Sequence, residues 1–165
     1  MKPSTLVKTL NNNRLGRFLF WVYTISMNYE KITLGLLRLS MGFMFLWAFL
    51  DKTFGLGFAT KSANSWIHGG SPTTGFLSHA TQGPLAPFFN SLAGLAVIDW
   101  LFMLGLLFVG LTLITNRFVR WGSIAGIVML VLMYLALLWP ANNPFLDEHI
   151  VYAIILAYLA IKKTN

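Results

Sequence analysis

Four apolar stretches, each near the length that crosses a bilayer, constrain this chain more than any other feature. Ile32 to Leu50 is broken only by Arg38, and Ala93 to Ile114 only by Asp99. Trp121 to Trp139 carries no charge, and Pro144 to Ile161 holds Asp147, Glu148 and His149 near its start. A helix needs about 20 apolar residues (range ~17–25) to span ~30 Å of hydrocarbon. Lipid offers no water to unpaired backbone groups, so such runs are expected to be helices. The alternating ten-residue segments of a membrane β-barrel are missing. The expected fold is all-α: a polytopic membrane protein with a four-transmembrane-helix bundle. Its spans are about 32–50, 93–114, 121–139 and 144–161. The fourth is short and fits best with its acidic first turn at the interface.

Composition agrees. Only 10% of residues are Asp, Glu, Lys or Arg, against about 25% in soluble domains. This excludes a soluble enzyme, a disordered tail or a free nucleic-acid-binding domain. The net charge of +7 sits at the ends of apolar runs, where anionic lipid headgroups explain it better than nucleic acid. The expected partner is therefore the lipid bilayer. With no cysteine in the chain, a disulfide, a thiol redox pair and an iron–sulfur cluster are excluded, as is thioether-linked haem.

Lys2, Lys8, Arg14, Arg17, Lys31, Arg117, Arg120, Lys162 and Lys163 fall on one side of the expected spans, and only Lys52 and Lys61 on the other. Basic residues gather on the cytoplasmic side. Both termini are therefore expected in the cytoplasm, with the protein in the plasma membrane and residues 162–165 forming a short inner tail. Residues 1–31 read as a basic leader. Leu15, Phe18, Leu19, Val22, Ile25 and Tyr29 lie at helical spacing, as in an amphipathic helix on the inner membrane face. A signal peptide is the rival, but no small-residue cleavage site follows the brief apolar core.

The connection from Asp51 to Leu92 is much longer than usual, as in binding loops and lids. Ser71-Pro72 reads as a helix N-cap and first helical residue, and Pro84 and Pro87 mark breaks. Short helices over the outer mouth of the bundle are expected, with aromatics such as Trp66 dipping into the interface.

Charges inside hydrocarbon are expensive and usually face a partner or a cavity. Arg38 and Asp99 are therefore candidates. Depth argues against a direct pair: Arg38 lies toward the inner end of its span and Asp99 toward the outer end, roughly 10 Å apart in depth. Arg38 and Lys52 share a helical face that would line a cavity with Asp99, Asp147 and His149, roofed by the Trp66 loop. Each has a plainer reading. Asp147 and Glu148 offset a helix dipole, Asp51-Lys52 ends a span, and His149 serves as a hydrogen-bonding filler. The His and acid spacings do not make a metal set. Met41, Met44, Met103, Met129 and Met133 read as bundle packing.

The stretches LLRLSMGFMFLWAFLDKTFGLGFAT (Leu36–Thr60), WIHGGSPTTGFL (Trp66–Leu77), SLAGLAVIDWLFMLGLLFVG (Ser91–Gly110) and NNPFLDEHIVYAIILAYLA (Asn142–Ala160) together resemble the DoxX/DoxD family over roughly residues 32–161. The loop in particular is similar to the large subunit of membrane thiosulfate:quinone oxidoreductases. That resemblance implies four spans and oxidation of thiosulfate to tetrathionate, with electrons passed to a quinone. It also implies a DoxA-like small subunit, which this sequence does not contain. On this reading Arg38, Lys52 and Trp66 would bind substrate, and Asp99, Asp147 and His149 would handle protons. The cofactor would be quinone alone, without metal, haem or iron–sulfur. Two alternatives stand beside it. One is a non-catalytic anchor or assembly subunit of a larger redox complex. The other is a transport module, which would need a homo-oligomer to enclose enough volume.

Overall fold

A computed structural model describes residues 14–140, 143 and 145–162; the extreme N-terminal leader and the last three residues lie outside them. Every regular element among the described residues is helical: α1 (Arg14–Phe54), α2 (Thr74–His79), α3 (Ala86–Ser91), α4 (Ala96–Thr115), α5 (Val119–Ala136) and α6 (Glu148–Ile161). Two single 3₁₀ turns, Ser62–Asn64 and Trp66–His68, precede α2. The chain divides into two compact units, residues 1–36 and 37–165.

In the first unit the described residues are the opening half of α1. Leu15, Phe18, Val22 and Tyr29 are exposed there. The helix passes through the expected 31/32 boundary without a break.

Among the described residues, three helices are long and apolar enough to cross a membrane: Tyr29–Phe54 within α1, α4 and α5. The expected fourth run forms a helix only from Glu148 to Ile161, 14 residues. At ~1.5 Å per residue that is about 21 Å, short of the hydrocarbon thickness. The reason is local. Asp147 has extended backbone and its carboxylate accepts from Ile150 N at 3.1 Å, so the N-cap sits three residues inside the apolar run. The third span also closes early, at Ala136, rather than at Trp139.

The second unit is held by close helix packing. An added Cβ on Gly42 of α1 would lie 3.0 Å from Leu113 Cβ and 3.1 Å from Ile114 N; one on Gly110 of α4 would lie 2.9 Å from Leu46 N. Missing side chains at these two points let the backbones of α1 and α4 approach, the usual device where lipid supplies no hydrophobic drive between helices. Met103, Val109, Leu113, Leu156 and Leu159 are fully buried. The outer faces are apolar instead of polar: Leu101, Leu104, Leu111, Val128 and Leu132 are all exposed, as expected of surfaces solvated by lipid.

The long connection folds as expected into short helices. Leu77 and Phe89 of the connection form a small core with Ala136 of α5, flanked by Phe76, Leu92 and Ile98 of α4. The Ser71-Pro72 start is displaced: α2 begins at Thr74, and Ser71 Oγ accepts from Thr74 N at 3.1 Å across the preceding turn.

Candidate functional site

Asp99 stands in the first turn of α4, where a carboxylate offsets the positive helix end. Its Oδ1 accepts from Ser71 Oγ at 2.8 Å, Thr73 N at 3.2 Å and Thr73 Oγ1 at 2.6 Å. Asp99 and Thr73 are both buried, so this carboxylate is the clasp that ties the long connection to α4. The Trp66 ring meets Trp100 edge-on, with centroids 4.6 Å apart, beside the clasp in sequence.

Asp51 works in the same way at the end of α1. It is 2% exposed, and its carboxylate accepts from Phe58 N at 3.3 Å and Ala59 N at 3.0 Å. The span boundary expected here is thus a built corner that folds the chain back on the helix end.

Arg38 lies elsewhere. Its guanidinium donates to the carbonyls of Leu113 and Ile114 in the last turn of α4. Those oxygens have no partner within the helix and carry the negative helix end. Arg38 is therefore a C-terminal cap supplied by a neighbouring helix, and a charge in hydrocarbon finds its partner in backbone. Arg38 and Asp99 bind opposite ends of α4. They do not meet, in keeping with the depth argument, and Arg38 is engaged away from Lys52, Asp147 and His149.

Lys52 and the Asp147–His149 pair remain. His149 Nδ1 lies 2.7 Å from Asp147 Oδ2, both residues buried. The carboxylate accepts, so the proton belongs on Nδ1, and the ring orientation is set. Asp147 Oδ1 caps α6. Expected as an N-terminal acid, Asp147 thus does both jobs at once. Together with exposed Glu148 these residues place three ligand-type atoms within 4.8 Å, but both Asp147 oxygens are already engaged.

Lys52 Nζ donates to Pro72 O at 3.2 Å and lies 5.8 Å from the centre of the Phe102 ring. It stands at the edge of a cavity of about 380 Å³ between the connection, α4 and α5. The walls are Phe76, Leu77, Phe88, Phe89, Ile98, Phe102, Met129 and Met133 among others. Met129 and Met133, expected as packing, line this space. Residues missed by sequence reasoning are Ser71 and Thr73, the clasp donors, and Phe102. The run of hydroxyls in Ser71-Pro72-Thr73-Thr74 was the available signal.

The six candidates thus separate into four places: the C-terminal end of α4 (Arg38), its N-terminal end (Asp99, with Trp66 on neighbouring Trp100), the start of α6 (Asp147, His149) and the cavity wall (Lys52). Compared with family models, curated proteins and solved structures, the chain matches none.

Proposed function

We propose that this chain is the integral membrane subunit of a quinone-linked oxidoreductase of the DoxX/DoxD kind. In this reading it has four spans, both termini in the cytoplasm of a plasma-membrane protein, and α6 as the short last span. The observation that carries it is the buried Asp147–His149 pair at the mouth of α6. Quinone reduction needs a proton donor beside the ring oxygens as electrons arrive. An imidazole oriented by a buried carboxylate is the usual protein device for that work. With thiosulfate as donor, two thiosulfates join through a new S–S bond to tetrathionate. The two electrons released, with two protons, turn the quinone into quinol. The chain has no cysteine, so electrons pass directly between substrates or through a DoxA-like small subunit.

A second reading has its own support. Arg38 and Asp99, the intramembrane charges that most suggested chemistry, are both consumed in holding helix ends and a loop. That favours a non-catalytic anchor or assembly subunit of a redox complex.

The test is thiosulfate-dependent quinol formation by the purified protein in lipid, alone and with any co-purifying small subunit. Activity that falls at least about a hundredfold in folded His149→Gln, the scale of a lost general acid, supports the first reading. No activity in either preparation from well-folded protein overturns it in favour of the second.

A further inference from the structure

We infer that the cavity beside Lys52 is a binding site for a single-chain carboxylate amphiphile, of the free fatty acid class, which enters from the bilayer. The inference is independent of the quinone reading.

Three observations carry it. The cavity, at about 380 Å³, falls within the ~300–1,000 Å³ of small-molecule sites. Its lining is almost wholly apolar, and Leu101 on α4 and Leu132 on α5 are exposed at its edge, on faces that lipid solvates. An acyl chain can therefore enter sideways without crossing water.

The third observation is the polar end. Lys52 is the one charged group in the lining. Its ammonium has three N–H donors and gives one to Pro72 O. Asp51, next in sequence, attracts it only through space, since its carboxylate is turned to Phe58 N and Ala59 N. The other polar lining groups are spent: Thr73 donates from both N and Oγ1 to Asp99, and Pro72 O accepts from Lys52. A half-buried cation with no carboxylate in direct contact favours an anionic head, and a charge-assisted hydrogen bond in low dielectric strengthens the pair.

This arrangement selects among membrane amphiphiles. A para-quinone carries carbonyls at both ends of its ring and would leave one against Phe and Met walls, unpaired at a cost. A diacyl phospholipid brings ester carbonyls and a second chain for which the lining has no donors. A monocarboxylate needs one cation and one apolar channel.

The full chain in nanodiscs is labelled with a diazirine-bearing palmitate, and the labelled residues are read by mass spectrometry. Competition is measured with palmitate, methyl palmitate, phosphatidylglycerol and an isoprenoid benzoquinone. The expected result is label on Phe102, Met129 or Met133, displaced by palmitate roughly tenfold or more better than by its methyl ester, the scale of a charged hydrogen bond. Lys52→Met should bring acid and ester to the same potency, and Lys52→Arg should keep them apart. Met133→Trp, which fills the cavity and leaves Lys52 in place, should abolish the label. Equal potency of acid and ester on the unaltered protein overturns the proposal. So does label outside these walls, or displacement by phosphatidylglycerol or the quinone better than by palmitate. The acid–ester comparison needs no variant and stands if a substitution prevents folding.

Discussion

Replacing Asp99 should release the long connection while leaving the helices in place. Three donors converge on Asp99 Oδ1: Ser71 Oγ, Thr73 N and Thr73 Oγ1. In Asp99→Ala, Ser71 is half-buried, so its hydroxyl can turn to solvent and its loss is small. Thr73 is 5% exposed, and both its N–H and its hydroxyl lose their acceptor. Each orphaned buried group costs about 1–3 kcal/mol, so local opening of the segment becomes easier by about 2–6 kcal/mol. The bound is an upper one, because three bonds on one oxygen are not additive. Asp99→Asn keeps an acceptor oxygen and loses the charge, a cost of about 1–2 kcal/mol. Hydrogen exchange in nanodiscs reads this directly, since amide protection follows local opening. Peptides covering 71–80 should exchange at least about thirtyfold faster in Asp99→Ala, less so in Asp99→Asn, with α5 unchanged. Unchanged exchange across 71–80 in Asp99→Ala would refute the clasp. Equal acceleration throughout α4 and α5 would show that Asp99 supports the bundle instead.

Arg38→Met should strand the Leu113 and Ile114 carbonyls, lowering stability by about 1–3 kcal/mol for each unpaired group. Thermal unfolding in detergent reads this, and Arg38→Lys should recover part of it. A weakened substrate KM with unchanged Tm would return Arg38 to a substrate-binding role. Gly110→Val places side-chain atoms against Leu46, whose N already lies 2.9 Å from an added Cβ. Overpacking there should cost about 1–3 kcal/mol, with Gly105→Ala milder because it meets the flexible end of Met129. A stable Gly110→Val variant would mean that α1 and α4 do not pack closely there.

The helical class and the three long spans were legible from the chain itself. Backbone groups in hydrocarbon have one local solution, and an apolar run of about twenty residues, even one broken by a single charge, states it without reference to any other segment. The depth argument that kept Arg38 and Asp99 apart was equally local, since rise per residue depends only on position along a helix. The fourth run shows where that reasoning stops. The apolar run extends from Pro144 to Ile161, yet an aspartate at 147 caps the helix and leaves it 14 residues. Partners are the part that only the tertiary structure decided. Arg38, Asp99 and Lys52 each read as a charge in need of a partner or a cavity, and the sequence reading grouped them along one shared cavity. Folding instead supplied two carbonyls, three donors from one turn, and a cavity edge. The reason is physical. A helix end exposes unpaired carbonyls and a loop exposes unpaired amides at no cost in sequence. A buried charge can be satisfied by either, and which of them lies within 3 Å is fixed only when the helices pack.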